Sequence, residues 1–127
     1  MSIQLDHTIV WCRDEHVSSR FFAEILGLPA PRPFGIFQVV KLANGISLDF
    51  HATQDPITAQ HYAFLISESE FDASFARIVE RQLDYWADPA CRRPGEINHN
   101  DGGRGLYFLD PDRHFLEIIT RPYGGHG

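Results

Sequence analysis

The strongest constraint in this sequence is an internal duplication. His7-Thr8-Ile9-Val10 opens the first half and His61-Tyr62-Ala63-Phe64 opens the second. Each half closes on an apolar segment interrupted by a carboxylate, Leu48-Asp49-Phe50 and Leu116-Glu117-Ile118. A repeat of about half a 127-residue chain is too long for a solenoid and calls for two similar modules whose sheets complete one another. Module 1 is expected at about 1–54 and module 2 at about 58–123, within one domain spanning 1–127.

The local patterns agree. Ile3 to Cys12 is rich in β-branched and apolar residues, and Asp14 offers an N-cap to a helix with Val17, Phe21, Ile25 and Leu28 at helical spacing. Gly27 and Pro29 end it. After a proline-rich loop from Pro29 to Pro33, Phe34 to Leu42 and Ile46 to His51 read as strands joined by a turn at Asn44-Gly45. The first half thus reads β, α, β, β, with room for one more strand. In the second, His61 to Ile66 is a strand, and Ser69 with Asp72 resembles a capping box for a helix with the stripe Phe71, Phe75, Ile78 and Val79. Tyr85 to Ala87, Gly105 to Leu109 and Phe115 to Thr120 are the remaining strands. The expected fold class is α+β, two βαβββ modules whose mixed sheets form a half-barrel groove.

With 43% hydrophobic residues the chain can bury a core. No apolar run approaches the roughly 18 residues that cross a bilayer, and no signal segment is evident at the N-terminus, so a cytoplasmic protein with no membrane partner is expected. Eleven basic against 17 acidic side chains, with the arginines scattered, argue against nucleic acid. Cys12 and Cys91 lack the spacing of a zinc or redox site and read as reduced thiols.

If the modules are related by a pseudo-twofold axis, His7 and His61 occupy equivalent places, with Asp49 and Glu117 beside them. Two imidazoles and a carboxylate suit Fe(II), Mn, Co, Ni or Zn and leave positions open for substrate. A lone strand histidine is more often an ordinary hydrogen-bonded residue, but its repetition, and a glutamate on an otherwise apolar strand, favour a site. Asp49 is an extra ligand or base, or a solvated neighbour.

The pattern His7, His61, Glu117 on duplicated modules resembles the vicinal oxygen chelate superfamily, which includes glyoxalase I, extradiol ring-cleavage dioxygenases, fosfomycin-resistance transferases, methylmalonyl-CoA epimerase and bleomycin-resistance proteins. The resemblance runs from about Leu5 to Pro122 and implies one divalent metal per site, Fe(II) or Mn(II) ahead of Ni, Zn or Co, chelated by two adjacent oxygens of a small-molecule substrate. Ile97-Asn98-His99, Leu106-Tyr107, Asp110-Pro111 and Glu117 are together similar to the extradiol dioxygenase signature. That similarity implies Glu117 as a ligand, Tyr107 as hydrogen-bond donor to a catecholate oxygen, and His99 as an imidazole beside the metal or substrate. The chain departs from the pattern at Arg113, where glycine or proline is usual, and after Asn44-Gly45, where Ile46 and Ser47 replace the usual acid–base histidine. His51 and Arg104 are candidates for contacting the substrate.

The resemblance therefore implies a ring-cleavage dioxygenase acting on a catechol-type diol. The alternatives are a glyoxalase-type lyase or isomerase, in which Asp49 helps stabilise an enediolate, and a bleomycin-resistance-like protein that sequesters a ligand among aromatics such as Trp11, Phe37, Tyr62, Trp86 and Tyr107. Unpaired strand edges imply a homodimer.

Overall fold

The computed structural model describes residues 2–125. The chain divides into two compact units, Met1–Thr58 and Ala59–Gly127. In the first, β1 (His7–Cys12) leads into α1 (Glu15–Leu26), followed by β2 (Arg32–Phe34), β3 (Phe37–Lys41) and β4 (Ser47–Ala52). The second repeats the plan with β5 (His61–Leu65), α2 (Glu68–Glu80), β6 (Tyr85–Trp86), β7 (Gly105–Leu109) and β8 (Phe115–Ile119). The sheet orders are β1-β4-β3-β2 and β5-β8-β7-β6, each with one parallel pair, first strand beside last, and antiparallel pairs elsewhere. The chain is thus α+β, built of two mixed four-stranded sheets.

In each unit one sheet face packs on its helix. Val10, Cys12, Val40, Leu48 and Phe50 bury against α1, where the Phe22 ring meets Phe50 edge-on at 4.9 Å. Leu106, Phe108, Leu116 and Ile118 share the equivalent face of the second sheet, with Phe71 and Ile78 buried on α2. Because side chains alternate along a strand, the residues between these point to the opposite face, away from the unit's own helix. That face carries the histidines and carboxylates of the duplication.

Several boundaries differ from expectation for identifiable reasons. The expected strand Phe34 to Leu42 is broken by Gly35, at φ +58°, and the residues before it form β2, paired antiparallel to β3 with Phe34 opposite Phe37. Pro33 is tolerated there because β2 is an edge strand and needs no donor on its outer side. Asp14 does cap α1, its carboxylate accepting from the amides of His16 and Val17, and Gly27 closes the helix at φ +68°. The buried side of α1, however, is Ser18, Ser19, Phe22, Ala23 and Ile25, while Val17 is 46% exposed. The capping box of α2 is Ser67 with Glu70, not Ser69 with Asp72, because the helix begins at Glu68. Val79 lies on its exposed side.

The two views of α1 are separable by experiment. Phe22→Ala should cost about 3–5 kcal/mol as a core truncation, and Val17→Ala less than about 0.5 kcal/mol as a surface change, measured by urea denaturation. Equal losses would contradict the orientation of α1.

Candidate functional site

The duplication holds at the level of register. In the first sheet His7 lies opposite Ser47 and Ile9 opposite Asp49; in the second His61 lies opposite Phe115 and Ala63 opposite Glu117. In both, the histidine is two residues ahead of the position facing the carboxylate. Alternation then puts imidazole and carboxylate on the same face, away from the helix.

In the second unit this brings His61 and Glu117 together. Glu117 is 1% exposed. His61 Nε2 lies 3.1 Å from Glu117 Oε1, and His61 Nδ1 lies 2.8 Å from the Phe115 carbonyl. A carbonyl only accepts, so Nδ1 carries the proton, and in the neutral ring Nε2 presents a lone pair to a carboxylate oxygen. Two acceptors at that distance require a cation between them, a proton or a metal ion. The chemistry fits a divalent metal, since ligating imidazoles commonly donate their other N–H to a backbone carbonyl.

The remaining contacts of Glu117 come from tyrosines. The Tyr123 hydroxyl donates to the carboxylate, 2.7 Å from Oε1 and 2.8 Å from Oε2, and Tyr107 Oη stands 3.4 Å from Tyr123 Oη. Tyr107 lies across from Glu117 in the β7–β8 pair, and its ring stacks near those of His61 and Phe115. Burial, then the Tyr123 hydrogen bond and the Glu117 charge, push the Tyr107 phenol far above its ordinary pKa. Tyr107 is therefore a neutral O–H donor at physiological pH, unsuited to act as a phenolate base.

The first unit is laid out differently. His7 Nδ1 donates to Asp6 Oδ2 at 2.7 Å, leaving its Nε2 lone pair available, while Asp49 accepts from Ser47 Oγ at 3.2 Å. The Asp6 hydrogen bond raises the His7 pKa. His7 and Asp49 both border a cavity of about 570 Å³, walled by Pro29, Pro33, Phe34 and Phe37 and carrying the cations Arg32 and Lys41. His51 sits at its own end of the sheet, packed between Trp11 and Phe37 with Nδ1 donating to the Ala52 carbonyl. Among the described residues, no three His, Cys, Asp or Glu side chains gather into a metal-holding group; the second unit supplies a pair.

Arg104 is engaged structurally, bonded to Glu68 and Asp72 at 2.8 Å each and lying over the Phe71 ring, so it ties β7 to α2. His99 is exposed at the start of the 3-10 turn Asn100–Gly102. Arg113 adopts φ +68°, which explains why glycine suits that place. Sequence reasoning missed Tyr123, which lies beyond the last strand in a segment with no periodicity. It also missed the buried Asp110–His114 pair: Asp110 Oδ1 accepts from the amides of Asp112 and His114, while Oδ2 is buried without a partner.

No family model matches the chain. It is 61% identical to the solved structure of "Oxidase ChaP-H1", covering 98% of this chain and 100% of that one with a TM-score of 0.96. It is 40% identical over 60 residues to the metallothiol transferase FosB of Shouchella clausii, a match spanning 47% of this chain and 37% of that protein. Over 120 residues it is 24% identical to the glutathione transferase FosA of Serratia marcescens, covering 90% of this chain and 78% of that protein.

Burial raises the Asp110 carboxyl to about 6, against 3.8 for an ordinary aspartate. Between these values the folded state holds a proton that the unfolded chain has lost, so this group adds stability as pH falls from about 7 to about 4. Asp110→Asn should flatten that part of the stability–pH curve in urea denaturation. An unchanged slope would show that Asp110 is already ionised in the fold at lower pH.

Proposed function

Because the chain belongs to the vicinal oxygen chelate superfamily, we propose that it is a metal-dependent enzyme acting on a small molecule with two adjacent oxygens. The reading we favour is an oxidative one, ring cleavage of a catechol-type diol. The single observation that carries it is the His61–Glu117 pair, a buried carboxylate facing an imidazole lone pair.

His61 and Glu117 are proposed as metal ligands, with His7 as the third, supplied by the same chain or by a second copy in a homodimer. Fe(II) or Mn(II) is favoured, with Ni, Zn or Co as alternatives. When bound, such a metal would act as a Lewis acid for the two substrate oxygens and supply redox chemistry with O2. The Phe115 carbonyl fixes the His61 tautomer, so that its lone pair is already directed before anything binds. Glu117 keeps its charge away from water. Tyr107, held neutral, donates a hydrogen bond to a substrate oxygen and stabilises negative charge developing there.

The cavity beside His7 and Asp49 supports an aromatic substrate: its phenylalanines and prolines match a flat ring, and Arg32 and Lys41 favour an ionised oxygen. Identity of 61% to Oxidase ChaP-H1 supports oxidation over the thiol transfer named for the less similar relatives. Asp49 is proposed as an auxiliary ligand or base, and His99 as a substrate contact.

His61→Ala or Glu117→Ala should abolish metal retention, measured by elemental analysis after anaerobic loading. Tyr107→Phe should keep the metal yet lower turnover by about 10²–10⁴-fold, as loss of a proton-handling donor does. Oxygen uptake on a panel of catechols reads this out. Metal retained in both ligand variants, or full turnover in Tyr107→Phe, would contradict the assignment.

A further inference from the structure

We propose that Tyr123 is a positioning residue for the metal centre: its hydroxyl holds the Glu117 carboxylate so that Oε1 is presented to the His61 lone pair. This rests on the reading of His61 and Glu117 as ligands.

A glutamate has enough rotatable bonds to swing away from its partner, and the His61 contact reaches only one of its two oxygens. His61 Nδ1 is bonded to the Phe115 carbonyl at 2.8 Å, and its Nε2 lies 3.1 Å from Glu117 Oε1. The O–H that reaches the carboxylate belongs to Tyr123, at 2.7 and 2.8 Å from its two oxygens. One proton serves one oxygen at a time, so occupation of Oε1 by a metal leaves the phenol its bond to Oε2. The tyrosine and a cation are therefore compatible on the same carboxylate.

The backbone around Tyr123 is built to present it. β8 ends at Ile119, and after Thr120, Arg121 and Pro122 comes the short turn Tyr123–Gly125, with Gly124 at φ +76°. The Gly124 amide donates to Asp101 Oδ1 at 3.2 Å, from a turn in which Asp101 itself adopts φ +56°. Two turns clasp through that bond. Tyr123 is nonetheless 60% exposed, so packing does not account for its placement, and losing the hydroxyl should leave the fold intact.

The test measures binding of Mn(II) and Co(II) by competition with a fluorescent chelator, together with the visible spectrum of the Co(II) protein and the thermal midpoint. Tyr123→Phe should weaken both metals about 10–100-fold, the usual effect of removing a group that orients a ligand. It should also alter the Co(II) spectrum and leave the midpoint unchanged. Asp101→Ala, which frees the turn, should move affinity in the same direction by less. Unchanged affinity and spectrum in Tyr123→Phe, or tighter binding, would overturn the proposal. If Glu117→Ala loses the metal and Tyr123→Phe does not, the positioning role alone fails; if Glu117→Ala or the wild-type protein shows no specific site to lose, the metal-centre reading fails with it.

Discussion

A buried carboxylate facing an imidazole whose other nitrogen is bonded to a backbone carbonyl is the constraint around which the second unit is organised. Glu117 sits on a strand whose neighbours Leu116 and Ile118 bury against the helix side, and alternation forces it to the other face. There it meets His61 Nε2 and the tyrosine hydroxyls rather than water. An isolated ionised carboxylate in such surroundings is costly, and each nearby group lowers that cost. Parallel pairing of β5 with β8 sets which imidazole it meets, since a slip of one residue would send the side chains to opposite faces.

The duplication repeats this skeleton and elaborates it unequally. Both histidines carry the Nδ1 proton toward an oxygen, a backbone carbonyl for His61 and the Asp6 carboxylate for His7, so both keep Nε2 for another partner. Asp49 occupies the register position of Glu117, but its shorter side chain is bonded to Ser47. Where the second unit gathers phenols around its carboxylate, the first opens a cavity lined by aromatics, prolines and two cations. One unit pairs an imidazole with a buried carboxylate, and the other borders a cavity walled by aromatics and prolines.

The sequence made the module plan legible because its signals are local or repeated: clusters of turn-forming residues set off β7 and β8, Asp14 and Gly27 bracketed α1, and matching histidines and carboxylates marked the repeat. What it hid depended on tertiary context. The stripe through Val17 and the one through Phe22 are both acceptable helical patterns, and only the sheet decides between them. β2 was hidden by Pro33, which excludes a central strand but not an edge. Ser67 and Ser69 both precede acidic residues at cap spacing, and the helix start selects the first. Tyr123 left no signal, because its role comes from a turn held by Asp101, far earlier in the chain. Arg104 drew interest as a cation near a proposed site; its partners on α2 emerge only from the fold.

The most direct test of the central claim is a crystal structure of the protein grown anaerobically with Mn(II), using anomalous scattering to locate the metal. The account predicts one strong peak at bonding distance from both His61 Nε2 and Glu117, with the His61 Nδ1 bond to the Phe115 carbonyl unchanged. Strong Mn(II) peaks elsewhere, with His61 bonded directly to Glu117 as a protonated imidazolium, would contradict it.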